Sequence, residues 1–349
     1  MSNIAATDPN FRVETKIKET DICFYNVLQP PFSVHGVFYQ DGKFRRLPET
    51  VAKQINDAAY CRRADTAGGR VRFKTNSAYV AIHAKMSSII RMSHFALTGS
   101  AGFDLYCKKD GEQRYVGTFV PPYDMQDGFE SILQFPTAEM REITINMPLY
   151  SEVCQLYIGL QEGASVCPPE AYTHPTPIVY YGSSITQGGC ASRPGMAYQN
   201  IITRRLDVDY VNLGFSGGAR GEEEIAAYIS KLDMSVFVYD YDYNAPTAEH
   251  LQQTHERMYL TIRRAHPYIP IIMMSRPKPY LAPFEEKRRD IVEETYRKAK
   301  QRGENVYFLP GQTLMTDVRD NGTVDGTHPT DFGFASMAHY LGDMLEQIL

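Results

Sequence analysis

No tryptophan occurs anywhere in the 349 residues, so any flat platform for stacking a sugar ring must come from the 24 tyrosines or 17 phenylalanines. No apolar run approaches the roughly 18 residues a membrane-spanning helix requires, and no membrane partner is expected. Basic charge is scarce as well: 36 Lys and Arg against 41 Asp and Glu leave a net charge of −5. Binding nucleic acid requires clustered cations to neutralise phosphates, so the mild acidity argues against that class of partner. The longest basic cluster, Lys287-Arg288-Arg289, lies among acids in a helix-like stretch and reads as a solvated face. The six cysteines (Cys23, Cys61, Cys107, Cys154, Cys167, Cys190) include no CxxC pair and no Cys/His spacing of a zinc site. They read as reduced, mostly buried thiols. The opening stretch MSNIAATDPNFRVETKIKET lacks the apolar core behind positive charge that marks a secretory leader, which gives the expectation of a soluble, cytoplasmic protein.

What is present divides into two grammars. A chain of this length exceeds what one compact core usually accommodates, so two domains are expected. Between residues 21 and 160, short runs rich in aromatic and β-branched residues recur between turn signals: 69–75, 78–84, 102–107, 113–120, 141–147 and 155–159. Strand-length runs without long helical patterns between them predict an antiparallel, all-β sandwich, jelly-roll-like, with Lys108-Lys109-Asp110-Gly111 as a hairpin loop. Residues 166–177 carry four prolines in VCPPEAYTHPTP, which disfavours helix and marks a linker. The predicted division is therefore a sandwich over 1–165, a proline-rich linker over 166–177, and a second domain over 178–349.

In that second domain strands alternate with longer amphipathic segments. Strands are predicted at 178–181, 209–213, 235–239, 269–274 and 306–309, and helices at 196–206, 222–231, 248–265, 283–302 and 330–348. Such alternation implies right-handed crossovers and a three-layer α/β/α arrangement around a parallel sheet. Ligands bind outside the carboxyl ends of such strands, so the residues following each strand carry the chemistry.

Four segments stand at those places. After the first strand, Gly182-Ser183-Ser184-Ile185-Thr186 presents either a helix cap or a serine nucleophile that needs a positioned base. After the second, Gly214-Phe215-Ser216-Gly217-Gly218 is either a tight turn or a place where a backbone N–H approaches a reacting group; its glycines do not follow the dinucleotide pattern GxGxxG. After the third, Asp242-Tyr243-Asn244 ends before Pro246, and Asn244 is either a turn residue or a side-chain donor to a developing oxyanion. Before the last helix, Asp325-Gly326-Thr327-His328-Pro329 spaces a carboxylate and an imidazole so that one can orient the other.

In that order the four segments resemble the SGNH hydrolase superfamily, also called GDSL esterases. The resemblance implies Ser184 as nucleophile, His328 as general base, Asp325 as its orienting partner, and the Ser184 and Gly217 N–H groups with Asn244 as oxyanion donors. Two departures are visible: Gly182-Ser183-Ser184 stands where the family commonly has Gly-Asp-Ser, and Asp242-Tyr243-Asn244-Ala245 where it often has Gly-x-Asn-Asp. Gly102-Phe103-Asp104-Leu105-Tyr106 further resembles the GxDLY signature of a β-sandwich that precedes some of these esterases. Together these imply a serine esterase for short-chain, acetyl esters on a small molecule or carbohydrate, with no metal or organic cofactor. The alternatives are an acyltransferase using the same residues and a carbohydrate-binding protein without catalysis. Arg193 and Arg276 follow motif-bearing segments and can either contact a polar substrate or lie solvated.

Overall fold

A computed structural model describes residues 17–349; residues 1–16, on which the leader expectation rests, lie outside the described residues. The described chain forms two compact units that are discontinuous in sequence. One comprises 17–45, Ala64–Ala171 and Ser192–Gly195; the other comprises Arg46–Arg63, Tyr172–Ala191 and Met196–Leu349.

The first unit is built from strands β1 (Ile22–Asn26), β2 (Ser33–His35), β3 (Phe38–Gln40), β4 (Lys43–Arg45), β5 (Arg70–Thr75), β6 (Tyr79–Ser88), β7 (Phe103–Lys109), β8 (Glu112–Phe119), β9 (Gly128–Gln134), β10 (Arg141–Asn146), β11 (Glu152–Gln161) and β12 (Val166–Cys167). One antiparallel sheet has the order β1-β11-β6-β9; the other runs β12-β5-β10-β7-β8, with β2 also paired to β5. The inward residues alternate as the pleat requires: Val71 and Phe73, Val80 and Ile82, Phe103 and Leu105, Ile143 and Ile145, Leu156 and Ile158 share one core. β7 and β8 close through Asp110-Gly111, both at positive φ, between paired Lys109 and Glu112. That is the two-residue turn whose twist matches the strands, at the place the sequence predicts.

The GxDLY signature owes its pattern to this unit. Phe103 and Leu105 enter the core, and Asp104 points the other way, fully buried. Its carboxylate accepts from Arg193 at 2.9 Å, the Gly195 N–H at 2.8 Å and the Asn146 amide at 2.7 Å. Arg193 also lies over the Tyr115 ring at 3.9 Å. Arg193 is thus a structural ion-pair partner of Asp104, which corrects both readings of it as a substrate contact or a solvated cation.

The second unit has a five-stranded parallel sheet: β13 (His174–Gly182), β14 (Val208–Gly214), β15 (Val236–Asp240), β16 (Ile271–Met274) and β17 (Val306–Leu309), in the order β14-β13-β15-β16-β17. Its helices are α1 (Glu49–Ile55), α2 (Asp57–Arg62), α3 (Ser184–Gln187), α4 (Tyr198–Leu206), α5 (Glu223–Ile229), α6 (Ala248–Ala265), α7 (Pro283–Gln301), α8 (Gly311–Leu314) and α9 (Asp331–Glu346). Local chemistry explains the ends of the long ones. Thr247 caps α6 by accepting from His250 N–H, and α7 starts at a proline with Glu285 reaching back to the Ala282 N–H at 2.8 Å. Along α6 the buried residues Leu251, Thr254, His255, Met258, Tyr259 and Ile262 repeat at helical spacing and face the sheet core. Among the described residues no helix is long and apolar enough to cross a membrane.

Three sequence expectations change. The border between the units falls inside the expected linker, between Ala171 and Tyr172, but the unpaired connection is shorter than 166–177: Val166–Cys167 is a strand on β5, and His174 already pairs with Val208. Prolines fit there because Pro175 and Pro177 fall within an interruption of the register between His174 and Ile178. The contiguous border after 165 gives way to a discontinuous one, because Leu47, Ala52 and Ala59 of the 46–63 segment pack into the same core as Val179, Leu213 and Phe237. Of the thiols expected to be mostly buried, only Cys23 is, with Cys61 and Cys167 exposed.

The three donors on Asp104 generate a prediction. Asp104→Ala leaves a guanidinium and two N–H donors without their acceptor and should lower the unfolding free energy by about 3–5 kcal/mol, with Asp104→Asn milder. Urea unfolding of the full chain measures it, and an unchanged midpoint for the alanine variant contradicts this account.

Candidate active site

β13 lies between β14 and β15, so the strand order reverses at its carboxyl end, where open parallel sheets place their ligands. Residues 183 and 184 follow immediately. Ser183 has extended backbone and caps α3, its hydroxyl accepting from the Ile185 N–H at 3.2 Å. The Ser184 hydroxyl instead lies 2.9 Å from His328 Nε2. Of the adjacent serines, Ser183 thus caps the helix and Ser184 meets the imidazole. Gly182 is required just before them, because a Cβ there would lie 1.7 Å from the Asp240 carboxylate.

Asp325 and His328 form a closed loop in which Val324 N–H donates to His328 O at 2.9 Å. One Asp325 oxygen accepts from the backbone N–H groups of Thr327 at 2.9 Å and His328 at 2.8 Å, and the other lies 2.7 Å from His328 Nδ1. Burial raises the Asp325 pKa, but the His328 and Thr327 donors outweigh it and hold the carboxyl at about 2. An ionised carboxylate only accepts. The His328 proton therefore sits on Nδ1, which leaves Nε2 to accept from the Ser184 hydroxyl.

The other two predicted residues stand on neighbouring loops. Gly217 has a φ of +69°, and open space lies where a Cβ would stand. Asn244 donates from its amide to Phe215 O at 3.1 Å, which ties the loop after β15 to the loop bearing Gly217 and leaves a second amide hydrogen. Phe215 N–H donates to Gly182 O at 2.8 Å, and Ser216 N–H to the Gln187 side chain at 2.9 Å. Thr186 carries the rest: its carbonyl accepts from Gln199 at 2.7 Å and Asn212 at 2.8 Å, and its hydroxyl donates to Asp240. Gln187, Gln199 and Asn212 are buried amides that no local sequence signal distinguishes from surface ones.

Arg276 is neither solvated nor free to meet a substrate. It is 6% exposed, paired with the buried Glu285, and donates to Thr327 Oγ1 at 2.8 Å and Gly326 O at 3.3 Å. Arg288, read in sequence as part of a solvated face, donates to the carbonyls of Asp242 and Ala245 around Asn244. Lys287 keeps the expected exposure in a surface pair with Glu249, and Arg289 pairs at the surface with Asp290. The Cys190 thiol is pushed up to about 12, first by burial and then by the Asp325 charge, so it stays protonated at neutral pH.

Residues 175–346 match the model of the GDSL-like Lipase/Acylhydrolase family, and residues 22–166 match that described as the N-terminus of SGNH-hydrolase-type esterases. No curated protein matches the chain. Among solved structures, one described as a GDSL-like lipase from Bacteroides ovatus is similar with a TM-score of 0.84 and 27% identity, over 94% of this chain and 98% of that one. A salicylyl-acyltransferase from a tetracycline biosynthetic pathway has a TM-score of 0.77 and 19% identity, over 95% and 99%. A family two carbohydrate esterase from Clostridium thermocellum, in complex with cellohexaose, has 0.64 and 15%, over 90% and 98%. The last two share the fold.

The buried carboxyl at the end of β15 gives a pH prediction. Burial pushes Asp240 up to about 8, against the Thr186 hydroxyl and Ser183 N–H that favour its ionised form. A folded pKa above the unfolded value of about 3.9 means that the native state holds the extra proton, so stability falls as pH rises between these two values. Asp240→Asn removes this titration. Its urea midpoint should drop less than that of the wild type between about pH 5 and about pH 8; parallel curves refute the assignment.

Proposed function

Because residues 175–346 belong to the GDSL-like lipase/acylhydrolase family, and residues 22–166 to the N-terminal domain of SGNH-type esterases, we propose that this carboxylic ester hydrolase works through a Ser184 acyl-enzyme. Its substrate in this reading is a short-chain ester, acetyl foremost, carried on a carbohydrate. The observation that carries the reading is the continuous hydrogen-bond path from the Ser184 hydroxyl through His328 to Asp325.

The path defines the proton's route. As Ser184 Oγ attacks the ester carbonyl, its proton passes to His328 Nε2, and Asp325 stabilises the imidazolium from the Nδ1 side. Negative charge accumulates on the former carbonyl oxygen, towards which the Ser184 and Gly217 N–H groups and the second Asn244 amide hydrogen are the donors. The imidazolium gives its proton to the leaving alcohol oxygen as the ester C–O bond breaks, leaving the acyl group on Ser184. Water then attacks the acyl carbon, its proton passes to His328, and the Ser184 oxygen takes that proton back as the carboxylic acid departs.

The short acyl group follows from the loops beyond the strands, which carry no long apolar insertion. The carbohydrate half rests on the fold shared with the family two carbohydrate esterases. Water as acceptor is what separates this reading from the acyl transfer of the salicylyl-acyltransferase, which has the same fold.

Kinetics with 4-nitrophenyl esters and acetylated xylo-oligosaccharides test the proposal. Ser184→Ala should lower kcat by on the order of 10⁴-fold or more, while Ser183→Ala retains most activity, and acetyl should be preferred over octanoyl. Unchanged turnover in Ser184→Ala overturns the mechanism. Transfer to added sugar exceeding hydrolysis makes the protein an acyltransferase, and glycan binding without ester cleavage makes it a binding protein.

A further inference from the structure

We propose that the helical segment Arg46–Arg63, although it interrupts the sandwich portion of the sequence, is a clamp that sets the position of the Gly217 N–H, with Arg46 and Asn56 as its positioning residues. The proposal rests on the reading of Gly217 as an oxyanion donor.

The segment closes on itself before it grips anything. Arg46 N–H donates to Arg63 O at 2.9 Å, so its two ends meet as α1 and α2 run out and back. Leu47, Ala52 and Ala59 bury their side chains in the core of the parallel-sheet unit. That burial explains why the segment folds with this unit; it does not explain two polar side chains placed at one loop.

Arg46 is 2% exposed. Its guanidinium donates to Gly214 O at 2.6 Å and Asn212 O at 3.2 Å, at the carboxyl end of β14, and to Arg62 O at 2.7 Å within its own segment. It also lies over the Phe215 ring, 4.8 Å from the centroid. Asn56 grips the other end of the same loop. Its side-chain oxygen caps α2 by accepting from Ala59 N–H at 2.9 Å, and its amide donates to Gly218 O at 2.9 Å and to Glu222 at 2.6 Å. The approach is so close that a Cβ on Gly218 would lie 2.6 Å from the Ala59 nitrogen.

The loop from Gly214 to Gly218 is therefore held at Gly214 by Arg46 and at Gly218 by Asn56. Between them, Phe215 and Ser216 donate to Gly182 O and to Gln187. The peptide that carries the Gly217 N–H hangs between these fixed points. An oxyanion donor contributes only if it sits about 2.7–3.1 Å from the place where charge develops, and displacements near 1 Å can remove on the order of a hundredfold in rate. A buried arginine is suited to this task because its planar fork stays charged and reaches several carbonyls at once.

The test uses the full chain with Arg46→Met, Arg46→Lys and Asn56→Ala, measuring kcat and KM for 4-nitrophenyl acetate, inhibition by phenylboronic acid as a tetrahedral adduct of Ser184, and thermal unfolding. Arg46→Met should lower kcat per folded molecule by about ten- to a hundredfold with KM nearly unchanged, and the boronate should weaken in proportion. Arg46→Lys should recover part of the loss, and Asn56→Ala should reduce kcat severalfold in the same manner. Lower melting temperatures with unchanged kcat and boronate affinity reduce the segment to a stabilising element and overturn the proposal. If the Arg46 variants do not fold, Asn56→Ala decides by the same criterion. A wild type without esterase activity, or with activity that survives Ser184→Ala, overturns the underlying function; loss of the clamp effect alone leaves that function standing.

Discussion

Where the strands of a parallel sheet end, their carbonyls leave the ladder and must find other donors or remain wet. In this unit three arginines supply them. Arg46 takes the carbonyls of Asn212 and Gly214 at the end of β14, Arg288 takes those of Asp242 and Ala245 after β15, and Arg276 takes Gly326 O and the Thr327 hydroxyl in the loop before α9. Each loop so held carries one of the groups assigned to catalysis: Gly217, Asn244, or the Asp325 and His328 pair. A guanidinium serves better than an ammonium at such places because its donors lie in one rigid plane and it is never deprotonated. The remaining connection is Thr186, whose carbonyl and hydroxyl join α3 to α4, β14 and β15.

Electrostatics at this edge follow from counting donors against burial. Asp325 is partly exposed and receives three N–H groups, so it remains a carboxylate and can hold an imidazolium. Asp240 and Asp242 are buried, and burial raises both, to about 8 and about 6. Asp242 is the lower because Arg276 and Tyr243 N–H groups and the charges of Arg288 and Arg276 act on it. The same side-chain type thus performs two tasks. The carboxylate of the DGTHP loop stays ionised beside His328, whereas the buried Asp240 accepts from Thr186 and Ser183 next to Ser184, and the buried Asp242 accepts from the Arg276 N–H.

Much of this was legible beforehand. The helix over Ala248–Ala265 and the strand over Val306–Leu309 lie where periodicity puts them, because a threonine cap and short apolar alternation are local properties. The places of the four candidate segments were legible as well, since each follows a strand or precedes the last helix. The strands Ile22–Asn26 and Gly128–Gln134 and the helices of 46–63 were not, being short and flanked by segments of ordinary loop composition. Arg276 and Arg288 were misread for a related reason: an arginine between polar neighbours looks solvated until a buried Glu285 or a row of carbonyls lies opposite it.

By itself the sequence determined the types of the long elements, the order of the site segments and the residues able to do chemistry there, because hydrophobic periodicity and turn chemistry act over a few residues. Tertiary structure alone decided which serine meets His328, since Ser184 and His328 are 144 positions apart and only the closed sheet brings them within 2.9 Å. It also decided that residues 46–63 fold with the parallel sheet, because membership of a core depends on which apolar surface a helix finds, and its own pattern shows only that it needs one.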